Sequence, residues 1–178
     1  MGPILQSNGL ANQEVFNSGA KLVAGQNAAV VTNQFVDQFI TFGGSGLTLG
    51  LVCTMLYFSK SRQYKELGKL SIIPGLFNIN EPIIFGFPVV FNPIMAIPFI
   101  LAPVISAIMV YVSIATGIVE PFRAISVPWT TPFIISGFLI GGVKAAILQI
   151  AVFSMTVAVY FPFFKYQDKL AYQEEQKI

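Results

Sequence analysis

Between Lys69 and Glu120 the sequence holds one charged residue, Glu81, in the string Phe77-Asn78-Ile79-Asn80-Glu81-Pro82. At the centre of a membrane span a carboxylate costs on the order of 2.5–3.5 kcal/mol, and it is tolerated where it faces a cavity or has a partner. Two readings of Glu81 stand. In the first it binds a polar ligand and acts as a base. Pro82 has no N–H to cap the Asn78 carbonyl, so that carbonyl, the Asn80 amide and the carboxylate would converge on the ligand. In the second, Glu81 is a structural carboxylate that bonds a neighbouring helix, with Arg123 as the conceivable partner.

Asn78 and Asn80 carry amides that both donate and accept, which suits the hydroxyls of a sugar. They equally suit a turn or a cap. Trp129 is the only tryptophan, in Pro128-Trp129-Thr130-Thr131-Pro132. Its indole face would stack on the apolar face of a pyranose, or anchor the chain at a lipid–water boundary. Thr130 and Thr131 would hydrogen-bond a ligand, or satisfy backbone groups released by the flanking prolines. Gly43-Gly44-Ser45-Gly46 lacks the Lys-Ser/Thr of a phosphate-binding P-loop, so close helix packing is the better reading. Cys53, the one cysteine, lies in an apolar run with no base nearby and reads as a small hydrophobe. There is no histidine, which excludes His-based metal sites and His acid–base chemistry. No residue pattern calls for a metal or a cofactor. The net charge of +2 and the lack of a basic run interleaved with aromatics give no footing for nucleic acid.

The elements that position these residues belong to a membrane. Hydrophobic residues make up 54% and charged residues 10%, against about a quarter charged in soluble domains. A bilayer core of about 30 Å takes roughly 20 apolar residues per helix. Residues 39–58, 94–116 and 145–163 are uncharged runs of that kind and are expected to span. Residues 1–37 are polar and mixed, a loop with a short amphipathic or half-buried helix. Residues 59–69 carry a net +3, as short cytoplasmic loops do. Nine of the eleven prolines fall between Pro74 and Pro132, so 71–92 and 117–140 are expected as interrupted, re-entrant segments. Such backbone survives at membrane depth only where protein or a wet cavity covers it. Residues 164–178 balance their charges and read as a solvated cytoplasmic helix or a frayed end. If the basic loop and this tail share one side, the two spans between them account for the crossings. The expected fold class is an all-α polytopic membrane protein, its transmembrane helices combined with proline-interrupted re-entrant hairpins.

The string PGLFNINEPIIFGFPVVFNPIMAIP, within Lys69–Pro98, closely resembles enzyme IIC, the membrane component of sugar phosphotransferase systems, in its lactose/cellobiose/diacetylchitobiose branch. FGGSGLTL, PWTTPFIISGF, AAILQ and YFPFFKYQDK resemble the same family, so the likeness runs from about Leu10 to the tail. The resemblance implies the C-terminal, transport portion of a longer protein whose N-terminal half mediates homodimerisation. It implies a multi-pass protein of the bacterial cell membrane that binds a β-linked disaccharide and presents its 6-hydroxyl to the phosphocysteine of enzyme IIB. Enzyme IIB is in turn charged through IIA, HPr and enzyme I. The glutamate of the family's Asn-Glu-Pro motif matches Glu81 and is expected to bind the sugar near that hydroxyl. Asn80 and Trp129 match positions expected at the same site. The family also uses a histidine in an Ile-His-Gly segment. That segment is expected to lie upstream of these residues, leaving part of the sugar site outside them.

Three functions are compatible with the residues themselves. The first is the sugar permease of a phosphotransferase system, with Glu81 as hydrogen-bond acceptor and base. The second is an ion- or proton-coupled transporter, because an intramembrane glutamate also suits a proton relay. The third is a membrane fragment that folds without transporting.

Overall fold

A computed structural model describes residues 2–87 and 92–177. Residues 88–91, inside the expected re-entrant segment 71–92, lie outside the described residues, as do Met1 and Ile178. Among the described residues there are seven α-helices: α1 (Gly2–Asn17), α2 (Asn33–Phe39), α3 (Leu49–Phe58), α4 (Arg62–Leu76), α5 (Glu81–Gly86), α6 (Pro93–Ala115) and α7 (Ile135–Glu175). A short 3-10 turn, Ser45–Leu47, precedes α3. The described residues contain no strand, only an isolated bridge between Ala24 and Ala28. The all-helical expectation holds.

The chain divides into two compact units, and α6 and α7 contribute to both. The first comprises Met1–Ile40 and Ile105–Val152. Asn12, fully buried, holds it together: its Nδ2 donates to the carbonyls of Ala29 (2.9 Å) and Phe122 (2.8 Å), and its Oδ1 accepts from Ala29 N–H (2.8 Å). Phe39 and Phe122 stack at 5.0 Å in its core, and Ser106 Oγ donates to the Phe39 carbonyl at 2.7 Å. A polar side chain with every group paired fixes a loop without the cost of an unsatisfied buried amide. In this way one asparagine ties the irregular residues 18–32 and 117–134 to α1.

The second unit comprises Thr41–Val104 and Phe153–Ile178. Leu47, Leu49, Leu51, Met55 and Phe87 are fully buried or nearly so, with Tyr160 and Phe164 from α7. Tyr64 of α4 meets Phe87 edge-on, ring centres 4.8 Å apart. Gly50 of α3 lies close against α7, since a Cβ there would overlap Thr156.

The uncharged run 39–58 is not one helix. α2 ends at Phe39, the glycines at 43, 44 and 46 take positive φ, and α3 has only ten residues. Three left-handed glycines within four positions break helical hydrogen bonding. Hydropathy counts the run as continuous because glycine and serine carry no charge. The tail also differs from a frayed end, since α7 continues to Glu175. Its start is kinked at Gly141 and Gly142. Pro98, Pro103 and Pro162 all sit inside helices, so the proline count overstates the number of breaks.

α6 and α7 are long and apolar enough to cross a membrane. Only 28% and 33% of their most apolar stretches are buried, which is not the pattern of a soluble core helix. Ile97, Ile100, Val104, Ile108 and Val112 of α6 are all about half exposed or more.

Candidate functional site

Asn78, Asn80 and Glu81 lie within four positions at the junction of α4 and α5, in the second unit. Helix α4 ends in a Schellman closure. Ile79 N–H bonds the Pro74 carbonyl (3.0 Å) and Asn78 N–H the Gly75 carbonyl (3.1 Å), with Asn78 left-handed at φ 66. Asparagine is the residue that most readily replaces glycine in this role. Helix α5 then begins at Glu81. Pro82 occupies its first turn, where a missing N–H costs nothing, and Ile83 and Ile84 N–H both bond the Asn80 carbonyl at 3.0 Å.

A second turn is pinned against this junction. Asn78 Oδ1 accepts from Gly43 N–H at 2.6 Å. Asn80 Nδ2 donates to the Ser45 carbonyl (3.0 Å) and to Thr48 Oγ1 (3.2 Å), and Thr48 Oγ1 donates to the Gly43 carbonyl at 2.9 Å. Tyr160 OH of α7 donates to the Gly46 carbonyl at 2.6 Å. A Cβ on Gly44 would overlap the Asn80 side chain, and one on Gly46 the Phe99 ring. The close approach expected of Gly43–Gly46 is therefore present, but as a left-handed turn against two asparagines and a phenylalanine rather than as helix against helix.

These contacts take up the Asn78 and Asn80 side chains, which is the turn-forming role among the two considered for them. Glu81 differs. Its side chain is exposed at the N-terminus of α5, where the helix dipole favours a negative charge. The junction as a whole is a rigid mount that presents one carboxylate.

Trp129 and Thr130 belong to the first unit. Thr131 N–H bonds the Pro128 carbonyl (2.9 Å) in a tight turn. Trp129 is 65% exposed and Thr130 half-buried. Gln149, fully buried in α7, steadies the segment that follows. Its Oε1 accepts from Ile134 N–H (2.6 Å) and Gly137 N–H (2.9 Å), and its Nε2 donates to the Gln38 carbonyl (2.7 Å) and Ser136 Oγ (2.9 Å). In the same unit Arg123 lies over the Phe16 ring, 3.9 Å from its centre. Cys53 is half-buried within α3.

Sequence reasoning missed Gln149, Tyr160 and Thr48. The available signal for Gln149 was its being the one amide in the uncharged run 145–163.

A model of the family described as "Phosphotransferase system, EIIC" matches residues 1–103. The chain belongs to the phosphotransferase system EIIC family. The cellobiose-specific EIIC component of Geobacillus stearothermophilus is 48% identical over 99% of this chain and 39% of its own length. The putative permease IIC component YwbA and the lichenan permease IIC component of Bacillus subtilis are 44% and 42% identical, each over 100% of this chain and 39% of theirs. A crystal structure of the transporter ChbC, the IIC component from the N,N'-diacetylchitobiose-specific phosphotransferase system, aligns with a TM-score of 0.92 at 42% identity. That alignment covers 99% of this chain and 40% of that one. The chain thus spans about two fifths of the length of the EIIC relatives it matches.

Proposed function

We propose that the chain forms part of the sugar path of a phosphotransferase-system permease in a bacterial cell membrane, crossed more than once. The substrate class is a β-linked disaccharide. Support comes from relatives named for cellobiose, for oligo-β-mannosides and for N,N'-diacetylchitobiose. Its partner is enzyme IIB, an assignment supported by a lactose-specific relative of Staphylococcus aureus that carries EIIC and EIIB together as EIICB. IIA, HPr and enzyme I would act through IIB, and full-length forms would be homodimers. The relatives give the ion-coupled alternative no support.

The observation that carries this reading is the exposed Glu81 carboxylate on a junction fixed by hydrogen bonds to the glycine turn. Glu81 accepts a hydrogen bond from the sugar's 6-hydroxyl. When the IIB phosphocysteine arrives, the hydroxyl oxygen attacks phosphorus, the new O–P bond forms as the P–S bond breaks, the thiolate leaves on IIB, and Glu81 takes the hydroxyl proton. A base must lie within about 2.6–3.2 Å of its proton, directly or through one water, and a rigid turn meets that need better than a mobile loop. Asn78 and Asn80 serve by holding the junction beside the carboxylate. Within the first unit, Trp129 offers a stacking face and Thr130 a hydroxyl for a sugar.

Glu81→Gln keeps the shape and removes both the charge and the basicity. A hydrogen bond to a charged acceptor is worth about 1.5–3 kcal/mol, so cellobiose binding is expected to weaken about ten- to hundredfold. Phosphorylation by phospho-IIB is expected to fall further. Binding and phosphorylation both unchanged in this variant would remove Glu81 from the site.

A further inference from the structure

Helix α4 has two unlike faces. Gly68, Ser71 and Gly75, at i, i+3 and i+7, are buried. A Cβ on Gly68 would meet Met55 Cβ of α3 at 3.0 Å, and one on Gly75 would meet Leu49 Cδ1 at 3.2 Å. The opposite face is exposed, and it changes character along its length. Its first half carries exposed Arg62, Lys65, Glu66 and Lys69. Its second half carries Leu70 and Ile73, 71% and 67% exposed, and runs on to exposed Phe77. At 1.5 Å per residue the cationic half is about 10 Å long, enough to cross a headgroup layer of roughly 5–8 Å.

The neighbouring elements of the second unit put a water boundary beside the start of α4. Phe58, the last residue of α3, meets Phe161 of α7 edge-on at 5.0 Å. Lys165 Nζ lies 5.4 Å from the centre of that same ring, and Lys165 is the first charged residue after Lys144. Tyr57 and Tyr166 are 80% and 54% exposed. Apolar residues, then aromatic rings, then lysines is the order in which a helix leaves a bilayer. The positive charge at this end is not cancelled within the chain. Residues 164–178 sum to zero, while residues 59–69 keep a net +3. Lys69 Nζ pairs with Glu66 at 2.8 Å, but Arg62 and Lys65 make no ion pair among the described residues. Asp168 and Glu175, which hold the start of α4, accept from backbone amides and serine hydroxyls instead.

A ligand that complements this face has a negative head and an apolar tail. A soluble anion leaves Leu70 and Ile73 uncovered, and a soluble protein does not reach side chains below the headgroups. We propose that the exposed face of α4 binds an anionic phospholipid, with the headgroup at Arg62, Lys65 and Lys69 and an acyl chain along Leu70 and Ile73. The site rests on the membrane placement given above and not on the sugar-binding role of Glu81. A cation near an anionic bilayer surface strengthens binding about fivefold, so the two unpaired cations give the face its selectivity over a zwitterionic lipid.

Fluorescence quenching by brominated lipid tests this at the face itself. Leu70→Trp is made in the whole chain carrying Trp129→Phe, so that its indole is the only one. The protein is reconstituted in vesicles of phosphatidylglycerol and phosphatidylcholine, with bromine on the acyl chains of one lipid and then of the other. Phosphatidylglycerol is expected to be preferred at residue 70 by about five- to twentyfold, and Arg62→Gln with Lys65→Gln is expected to bring the two lipids to within about twofold. Ile108→Trp, on the uncharged helix α6, is the control and should show no preference. Should Leu70→Trp fail to insert, Ile73→Trp on the same face gives the same reading. Equal quenching by the two lipids at residue 70 overturns the site, as does a preference that survives the loss of both cations. Equal quenching together with loss of IIB binding in the Arg62→Gln, Lys65→Gln variant assigns the face to a protein partner and overturns it too. No quenching by either lipid, at residue 70 or at residue 108, overturns the membrane placement and the site with it.

Discussion

Gly44→Ala tests whether the glycine turn is what holds the Glu81 junction. Gly44 sits at φ 88, ψ 178, a region that only glycine occupies at ease and that costs another residue on the order of 1–3 kcal/mol. The added Cβ would also overlap the Asn80 side chain. Asn80 must then swing away and release its two hydrogen bonds, to the Ser45 carbonyl and Thr48 Oγ1, at about 0.5–1.5 kcal/mol each. Summed, the change should destabilise the chain by about 2–6 kcal/mol. Gly19→Ala is the control. Gly19 is also left-handed, at φ 78, but open space lies around it, so only strain of about 1–2 kcal/mol applies. Thermal unfolding in detergent, followed by circular dichroism, gives the stability difference, and cellobiose calorimetry gives the effect on Glu81. Gly44→Ala is expected to lower the midpoint well below that of Gly19→Ala and to weaken cellobiose binding, because Asn80 is the residue before Glu81. Equal midpoints for the two variants, with binding intact, would refute the argument that this contact positions the carboxylate.

Three further outcomes follow from the hydrogen-bond networks. Asp168→Ala should destabilise by about 2–5 kcal/mol in denaturant unfolding, because it strands the Lys60 and Ser61 amides that the nearly buried carboxylate accepts, while the Ser59 hydroxyl keeps the Ser61 carbonyl. The Glu175 carboxyl is held below its usual value of 4.5 by the Ser61 hydroxyl first, then by the Gln63 and Arg62 amides. Its contribution is thus complete above the unfolded value and is lost as pH falls through the lower folded value. The protection of the Arg62 and Gln63 amides against exchange, taken relative to their intrinsic rates, should therefore fall on acidification below about pH 4.5, and Glu175→Gln should remove that step. Gln149→Leu leaves the Ile134 and Gly137 amides and the Gln38 carbonyl unpaired, at about 1–3 kcal/mol each. Trp129 anisotropy, read from the only tryptophan, should fall as well, and an unchanged midpoint would show that the network is dispensable.

Much of the candidate site was legible because its signals are local. Glu81 stands out as one charge in fifty apolar-rich positions, and Asn78 and Pro82 announce a helix end and a helix start through their own backbone preferences. What the sequence hid were partners far away along the chain. Nothing next to Gly44 says that Asn80, thirty-six positions on, lies against it, so the glycines read as a helix-packing surface. Gln149 looked like one polar interruption in an apolar run because its four partners lie in two other segments, residues 134–137 and Gln38.

The tail shows the same limit in electrostatics. Summing charges over 164–178 cancels Lys165, Lys169 and Lys177 against Asp168, Glu174 and Glu175, and a neutral stretch of mixed charges reads as solvated. The sum discards direction. Asp168 and Glu175 are seven residues apart, two turns of α7 and therefore on one face. That face meets the start of α4, where Ser59, Lys60, Ser61, Arg62 and Gln63 offer hydroxyls and unpaired amides. First-turn N–H groups have no partner within their own helix, and the dipole there favours anions. Two carboxylates at heptad spacing are what such an end requires. The four cations around it, Lys60, Arg62, Lys65 and Lys69, were read as a membrane-side signal. It is the backbone between them that binds the tail, so the basic loop is held by amides that no count of charges includes.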